Sequence, residues 1–540
     1  MRWFASLLTA ITALAATAVA FASEPDTARR VNVLLVTVDD MNWNSVGAFG
    51  NPLAGITPNI DRLAEQGRRY ERAYVTASNC SPSRVALQTG LYPQQSGATG
   101  FFYIDDRDTP TIATMLRQHG FMTGAINKVG DSNPGPDGAR YWDYRINFNA
   151  SEKFSARRIG DASAEFFSAA KDTSRPFYLV VNIADPHKPN FNDPEAASTG
   201  ADVFVPSRII AESEVTIPPF LPDLPGIRRD VRNYYNSVKR ADDTFGAVMR
   251  ALRVSGLEDE TLVIFLSDHG MPFPFAKSSV YENSLRTPLV MKWSGRIAPG
   301  SVETQFVSAV DLMPTILDAA GVAMPVGSVA YLGKSLLSKE PMPARPQYAF
   351  GNFDENAKGY PVPMRGVIAQ DWGYVFNAWS DGEHEIRNDD MNHRSFKEMV
   401  RHAPRVPAIK DRLDYYLAPP VEELCHLKVD PHCIVNLAGD PAHTAVLAEM
   451  RSAMRAQMVR TDDYLLEAFD ARADKAKLRA FMRRQREAAL DRASRLQWKR
   501  DVNIAGGTRR NRELFRRYPC RSGVVEAERG DPCGNLSSQP

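Results

Sequence analysis

Three apolar segments of the chain each run directly into a turn rich in aspartate and histidine. Residues 31–38 lead into Asp39-Asp40, residues 176–183 lead towards His187, and residues 261–266 lead into Asp268-His269. Continuous apolar runs of this length are typical of strands buried on both faces of a parallel sheet. Because the carboxyl ends of parallel strands share one edge, we expect these distant side chains to converge there.

Helical patterns alternate with these strands, and this alternation predicts an α/β domain. The pattern predicts helices at residues 58–67, 109–120, 162–170, 229–255 and 307–320, and further strands at 121–126 and 287–293. We expect a large mixed, mostly parallel sheet flanked by helices, with a long surface excursion at residues 191–226.

The pattern changes after about residue 340, where shorter strands are predicted at residues 348–353, 366–369 and 373–379. They indicate a smaller C-terminal α+β subdomain, followed by helices at residues 441–459 and 462–499. At 540 residues the chain exceeds the size of one core. The predicted parts are a signal segment (1–22), a catalytic domain (23–340), the subdomain (341–440) and a helical, loop-rich extension (441–540).

The first 22 residues resemble a secretory signal. Arg2 precedes an apolar run, and Ala20-Phe21-Ala22 fits a small-x-small cleavage site. The run is short for a membrane span, so we expect export to the periplasm or medium without stable membrane insertion. The net charge of +1 gives no basic excess that would favour nucleic acid. The sequence leaves the oligomeric state open.

The five cysteines form an odd set for an exported protein. Cys425 and Cys433 are close in sequence, as are Cys520 and Cys533, and the simplest interpretation is two local disulfides. Cys80 remains alone. It opens the segment Cys80-Ser-Pro-Ser-Arg84, and a helix predicted from here to Gly90 would place it at a helix N-terminus, which favours negative charge.

Paired carboxylates such as Asp39-Asp40 usually cap a turn, but beside Asp268 and His269 they also suit a hard cation such as Ca²⁺ or Mg²⁺. The position of His187 directly after a strand favours a role in the site. Without further evidence, Lys128 and Lys277 would be interpreted as ordinary surface lysines. Two other chemistries lack support. The segment 327–335 has one residue too many for a phosphate loop, and no G-x-S-x-G nucleophile elbow occurs.

Taken in order, these motifs resemble the sulfatase family of the alkaline phosphatase-like superfamily. The resemblance rests on Cys80-Ser-Pro-Ser-Arg84 with Thr89-Gly90 and on Asp311-Leu-Met-Pro-Thr315, as well as on the three strand-end turns. It covers roughly residues 31–325. Within the family, Lys128-Val-Gly130 and the segment 271–277 are most similar to the heparan N-sulfatase (sulfamidase) group.

The resemblance implies a sulfatase that removes ester or N-linked sulfate, with a sulfated glycan as the expected substrate. It implies that a formylglycine-generating enzyme converts Cys80 to formylglycine (3-oxoalanine), whose hydrate is the nucleophile. It implies one Ca²⁺ held by Asp39, Asp40, Asp268, His269 and the residue at position 80. The implied catalytic residues, besides Cys80, are Arg84, Lys128, His187 and Lys277.

The chain departs from the family where many members carry a histidine shortly after the equivalent of Lys128. Gly130 and Asp131 stand there instead, so Asp131 or another group takes the role, or turnover is altered. Two alternatives stay open. One is a phosphonate or phosphodiester hydrolase of the same superfamily, and the other is a catalytically impaired, glycan-binding homologue.

Overall fold

The structure is a computed structural model that describes residues 31–504, except 102–103, 106, 136–137, 150, 328, 338–346, 383, 385 and 387. Side chains are not described for residues 138–139 and 496–504. The predicted signal segment and the Cys520–Cys533 pair lie outside the described residues.

Eight strands of the described chain form the larger sheet. They are β1 (Asn32–Val38), β2 (Arg68–Tyr74), β3 (Met122–Ile126), β4 (Tyr144–Ile146), β5 (Phe177–Ile183), β6 (Thr261–Ser267), β7 (Leu289–Lys292) and β8 (Ser301–Ser308). Their order is β4-β3-β5-β1-β6-β7-β2-β8, and β7 runs antiparallel to both of its neighbours while the other pairings are parallel. The predicted mixed, mostly parallel sheet is confirmed.

The four adjacent strands β3, β5, β1 and β6 bring the site residues together. Every residue of these strands is buried, as their apolar sequences predict. Since all four run in the same direction, the turns after them open on one edge of the sheet.

The helices of this part include two packed groups: α8 packs against both α1 and α6, while α2, α4 and α10 pack against each other. The helices of this part are α1 (Pro58–Gln66), α2 (Cys80–Thr89), α3 (Pro93–Ser96), α4 (Ile112–Gln118), α5 (Gly138–Tyr141), α6 (Ala156–Thr173), α7 (Pro194–Thr199), α8 (Pro225–Val254), α9 (Glu282–Leu285) and α10 (Leu312–Ala320).

A second sheet of four antiparallel strands follows, in the order β12-β11-β10-β9. Its strands are β9 (Ala349–Glu355), β10 (Pro361–Ile368), β11 (Trp372–Asn377) and β12 (Glu422–His426), and the later helices are α11 (Arg394–His402), α12 (Pro407–Leu417), α13 (Thr444–Arg460), α14 (Leu466–Asp470) and α15 (Lys475–Ile504). Strand β9 touches the larger domain directly, because Asn352 bonds to the backbone of Thr76 and Ser78. The smaller sheet thereby supports the segment that leads to Cys80.

Several predicted elements are corrected by the structure. The helix predicted at residues 109–120 begins at Ile112, because Thr111 rather than Thr109 caps it. The helix predicted at 307–320 begins at Leu312, because residues 307 and 308 end β8. The excursion at 191–226 is only partly a surface feature, since it contains α7 and buries Ile210 and Phe220.

Cys425 and Cys433 form a disulfide, as predicted, and Cys80 is the unpaired cysteine of the described chain. Among the described residues, no helix has both the length and the apolar character needed to cross a membrane.

Candidate active site

Cys80 is the first residue of α2, and every residue of this helix is buried. Its Sγ lies 3.3 Å from Asp39 Oδ1, 3.4 Å from His269 Nε2 and 4.0 Å from Lys277 Nζ. Gly90 ends the helix with a φ of 65°, a left-handed conformation that favours glycine. The predicted placement of Cys80 at a helix N-terminus is confirmed, and the helix directs it at the strand-end turns.

Carboxylate and imidazole groups from two strand ends meet at this thiol. Ligand atoms of Asp39, Asp40, Cys80 and His269 all lie within 4.8 Å of one another. Asp268 stands beside them, with its Oδ1 accepting a 3.1 Å hydrogen bond from the Asp40 backbone and lying 3.8 Å from His269 Nε2. The convergence expected from the sequence therefore occurs for the turns after β1 and β6, with Asp268 at the border of the cluster.

The neighbours of His269 determine which of its nitrogens faces the cluster. Its Nδ1 lies 3.0 Å from the Gly270 carbonyl oxygen, which can only accept a hydrogen bond. In the neutral imidazole the proton is therefore on Nδ1, and Nε2 presents a lone pair 3.2 Å from Asp40 Oδ1. This tautomer is the one that a metal-ligating histidine uses when a carbonyl orients its other nitrogen.

Arg84 links the turns after β1 and β6 through contacts with Asp39 and Asp268. Its Nη2 lies 2.8 Å from Asp268 Oδ2 and 3.4 Å from Asp39 Oδ2. Its Nη1 donates to Thr37 Oγ1 and Asn182 Oδ1, both at 2.5 Å. Thr37 and Asn182 were not predicted as site residues, although each is a polar residue inside an otherwise apolar strand and that interruption is a detectable signal.

Two lysines complete the ring of cations around Cys80. Lys128 forms an ion pair with Asp39, and Lys277 Nζ donates to both oxygens of Asp40 at 2.7 and 2.9 Å. Asn127 and Lys128 have left-handed backbones, with φ values of 58° and 44°. Such conformations cost free energy in residues other than glycine and persist where the surrounding structure holds them. The turn after β3 is thus shaped to direct Lys128 at Asp39.

The charges around the cluster determine the protonation of its carboxylates. Burial by itself would raise the pKa of Asp39, but Lys128, together with Arg84 and Lys277, holds that pKa well below its usual range. Burial raises the pKa of Asp40 despite the opposing charge of Lys277. Burial and the nearby Asp39 raise the pKa of the Cys80 thiol well above its usual range. A neutral thiol is a poor nucleophile, so position 80 is not built to present a thiolate.

His187 follows β5 and is half-buried. Its Nδ1 lies 2.5 Å from the Lys188 carbonyl oxygen, and burial together with the positive charge of Lys277 holds its pKa well below the usual range. The turn before His187 is anchored by Asp185, whose two oxygens accept hydrogen bonds from Arg240 at 2.7 and 2.8 Å. Arg240 was not predicted as a site residue, because nothing local distinguishes it within α8.

The buried donor set fits a hard divalent cation. Asp39 Oδ2 and Asp268 Oδ2 are buried carboxylate oxygens that accept no hydrogen bond from the described residues, although Arg84 and Lys128 lie near them. Carboxylate oxygens are the preferred ligands of Ca²⁺, and the oriented Nε2 of His269 adds a nitrogen donor. Asp39, Asp40, Asp268 and His269 are therefore the residues that would hold such an ion.

The fold and this site together define a hydrolase of the alkaline phosphatase-like class. The sulfatase family model matches residues 31–322. Human N-sulphoglucosamine sulphohydrolase is 30% identical over 478 residues, covering 81% of this chain and 91% of that protein. An ulvan-active sulfatase from Formosa agariphila is 24% identical, covering 80% of this chain and 75% of that protein. The chain belongs to the sulfatase family, whose members are sulfuric ester hydrolases.

Solved structures show the same fold. One, a complex with its substrate D-glucosamine-2-N,6-O-disulfate, has a TM-score of 0.56 and 18% identity, covering 81% of this chain and 99% of its own. A phosphonate monoester hydrolase from Silicibacter pomeroyi has a TM-score of 0.57 and 19% identity, covering 81% and 97%. At these identities the likeness establishes the fold and leaves the substrate to be argued from the site.

Proposed function

We propose that this protein removes sulfate from a sulfated glycan, with formylglycine at position 80 and one Ca²⁺ beside it. The observation that carries the proposal is the position of Cys80 at the buried start of α2. Donor atoms of Asp39, Asp40 and His269 lie within 4.8 Å of it and of each other, and Lys277 lies 4.0 Å from its sulfur. The proposed nucleophile, the proposed cation site and the anion-binding lysines therefore lie next to each other.

Formylglycine, formed from Cys80 by a formylglycine-generating enzyme, would supply a hydrated aldehyde oxygen as the nucleophile, and bound Ca²⁺ would withdraw charge from the sulfate oxygens. The chain's own residues hold the anion. Lys128 and Lys277 keep their positive charges, because the carboxylates of Asp39 and Asp40 raise their pKa values against the effect of burial. These fixed cations stabilise the negative charge that develops on the sulfuryl oxygens.

A proton donor for the leaving group is expected at Lys277 rather than at His187. Burial and Lys277 hold the pKa of His187 below its usual range, so this imidazole is neutral near pH 7 and already uses its Nδ1 proton on the Lys188 carbonyl. Lys277 is charged, buried and directed at Cys80. In its neutral state His187 carries a lone pair on Nε2 and cannot donate to sulfate. We therefore assign sulfate binding to Lys128 and Lys277, and proton donation to Lys277.

The expected substrate is N-sulfated glucosamine, because the human relative that matches most of this chain is an N-sulphoglucosamine sulphohydrolase. The test measures sulfate release from glucosamine N-sulfate and glucosamine 6-O-sulfate, and alcohol release from a phosphonate monoester, by wild-type enzyme and by Cys80→Ala. Release from the N-sulfate by wild type alone would support the proposal. Faster hydrolysis of the phosphonate would favour the superfamily's phosphonate hydrolases instead.

The nucleophile is tested by the mass of the peptide that contains Cys80, taken from protein expressed in its own host. Formylglycine lowers the mass of a cysteine peptide by about 18 Da. A peptide found only with an intact thiol would contradict the assignment. The same sample tests the proposed export, because a mature chain would begin after Ala22 and be recovered from the periplasm or medium.

A further inference from the structure

A cavity of 640 Å³ lies between α3, β9 and the C-terminal helices. Its walls come from α3 and the loop after it, from β9, and from the C-terminal helices α13 and α15. The volume falls within the range of about 300 to 1,000 Å³ that is typical of small-molecule sites. None of the residues assigned above to the catalytic centre lines it.

The floor of this cavity is polar and held in place by hydrogen bonds. Gln94 donates to Thr461 Oγ1 at 2.7 Å and accepts from Asn352 Nδ2 at 2.5 Å. Gln95 donates to the Ala330 carbonyl oxygen at 3.1 Å. Gln94, Gln95 and Thr461 are all buried, so their amide and hydroxyl groups form a preorganised surface rather than mobile side chains.

The rim of the cavity carries charged groups for which the described residues provide no ion-pair partner. Arg107 donates to the carbonyl oxygens of Gln94 and Gln95, and Arg460 contacts Gln457, but neither has a carboxylate partner among the described residues. The carboxylates of Asp105 and Asp462, also in the lining, likewise accept no hydrogen bond within the described part of the chain.

Elsewhere in the same lining the charges are paired. Glu355 forms an ion pair with Arg492 of α15, and Asp354 lies 2.8 Å from Arg365. Two guanidinium donors, Arg107 and Arg460, and two carboxylate acceptors, Asp105 and Asp462, therefore surround a polar floor without ion-pair partners among the described residues. That combination suits a polyol with an anionic substituent, because hydroxyl groups both donate and accept, whereas guanidinium groups bind carboxylate or sulfate.

Strand β9 connects the cavity to the catalytic centre. The Glu355 side chain lines the cavity, and its carbonyl oxygen accepts a 3.3 Å hydrogen bond from Asn79, the residue before Cys80. Resting on the function proposed above, we propose that this cavity binds a saccharide unit of the glycan other than the unit losing its sulfate. Arg107 and Arg460 bind the acidic substituent of that unit.

The test compares two substrates and four proteins. The substrates are glucosamine N-sulfate and a tetrasaccharide of alternating N-sulfated glucosamine and uronic acid. The proteins are wild type, Arg460→Ala, the double variant Arg107→Ala/Arg460→Ala, and the control Arg455→Ala. Arg455 lies on α13 like Arg460, but it is paired with Asp470 at 2.8 and 2.9 Å and is absent from the cavity lining.

We expect the double variant to raise KM for the tetrasaccharide by about tenfold or more, as loss of charged hydrogen bonds implies, with the monosaccharide changed less than about twofold. Arg460→Ala should give part of this effect and Arg455→Ala none. Equal effects on both substrates, or no effect on the tetrasaccharide, would overturn the proposal.

Calorimetric binding of the N-desulfated tetrasaccharide separates this proposal from the proposed activity. Wild type should bind it about tenfold more tightly than the double variant, whether or not any substrate is turned over. Equal binding by the two proteins, or no binding by wild type, would show that the cavity does not bind the glycan. Failure of wild type to desulfate the monosaccharide would contradict the proposed function alone.

Discussion

Ser81 donates a 2.6 Å hydrogen bond to Asp131, which ties the residue after Cys80 to the turn after β3. The second oxygen of Asp131 lies 3.7 Å from Lys128 Nζ. Helix α15 packs against the same turn, Gly130–Ser132. Asp131 stands where many sulfatases carry a histidine, and in this chain its contacts are those of a positioning residue.

If Asp131 acts by position, Asp131→Asn should keep most of kcat, because the amide oxygen still accepts from Ser81. Asp131→Ala should lower kcat by about tenfold, since a lost hydrogen bond to a charged group is worth one or two powers of ten. The pH profiles of kcat for both variants check the assignment. An Asn variant as impaired as the Ala variant, with the acidic limb of the profile lost, would instead make Asp131 a general base.

Calcium should stabilise the folded protein, because a ligand that binds only the native state adds free energy in proportion to the logarithm of its concentration. At a hundredfold excess over Kd we expect Tm to rise by about 2 to 5 °C, with a smaller rise for Mg²⁺. The measurement is thermal unfolding after chelation and refilling.

His269→Ala should abolish the calcium-dependent rise in Tm, because it removes the Nε2 donor without adding a charge. Lys477→Ala is the matched control, since its side chain is exposed and lies at the start of α15. A rise of equal size in His269→Ala would show that the ion binds elsewhere.

Arg84→Met should destabilise the fold strongly. Arg84 is 1% exposed and neutralises Asp39 and Asp268, so its loss leaves two carboxylates buried without this cation. Breaking a buried ion pair from one side costs about 3 to 5 kcal/mol. Denaturant unfolding measures the loss. Arg455→Met breaks an exposed pair and should cost less than about 1 kcal/mol, so similar costs for the two variants would refute the argument.

Asp390 should make stability depend on pH. Burial raises the pKa of this carboxyl to about 7, and both oxygens lie 2.7 Å from the Tyr416 hydroxyl. A carboxyl whose pKa is higher in the folded than in the unfolded state contributes stability that is complete at low pH and lost as pH rises towards 7. Asp390→Asn keeps the acceptor and removes the titration.

The free energy of unfolding of wild type relative to Asp390→Asn should therefore fall by about 2 kcal/mol between about pH 5 and pH 7. Asp414→Asn, at an exposed carboxylate paired with Lys410, is the control and should show no such trend. A constant difference across this pH range would mean that Asp390 is ionised throughout.

The sequence predicts those strands and helices whose local pattern of apolar and polar residues matches the pattern of buried and exposed positions in the structure. Strands β1, β5 and β6 are mostly apolar and are buried along their whole length, so their carboxyl ends, and with them Asp39, His187 and Asp268, could be placed on one edge. Strands β2 and β8 were missed. They carry several charged and half-exposed residues, and only pairing with their neighbours makes them strands.

Contacts between residues that are far apart in the sequence could not be predicted either. Asp131 meets Ser81 across 50 positions, and Arg492 of α15 reaches Glu355 across 137. These contacts depend on how separate elements pack, and no local spacing encodes them. The cavity between α3 and the C-terminal helices is hidden from the sequence for the same reason.

The complete burial of α2 has a consequence for the order of events in biosynthesis. Cys80 is 2% exposed, and backbone hydrogen bonds join the segment before it to β9. Asn79 and its β9 partner Glu355 are 276 positions apart, so the ribosome makes β9 long after Cys80. A modifying enzyme that needs an extended peptide must reach Cys80 before that strand closes. If the proposed conversion of Cys80 takes place, it therefore competes with folding, and the late synthesis of β9 would extend the time in which the cysteine can be reached.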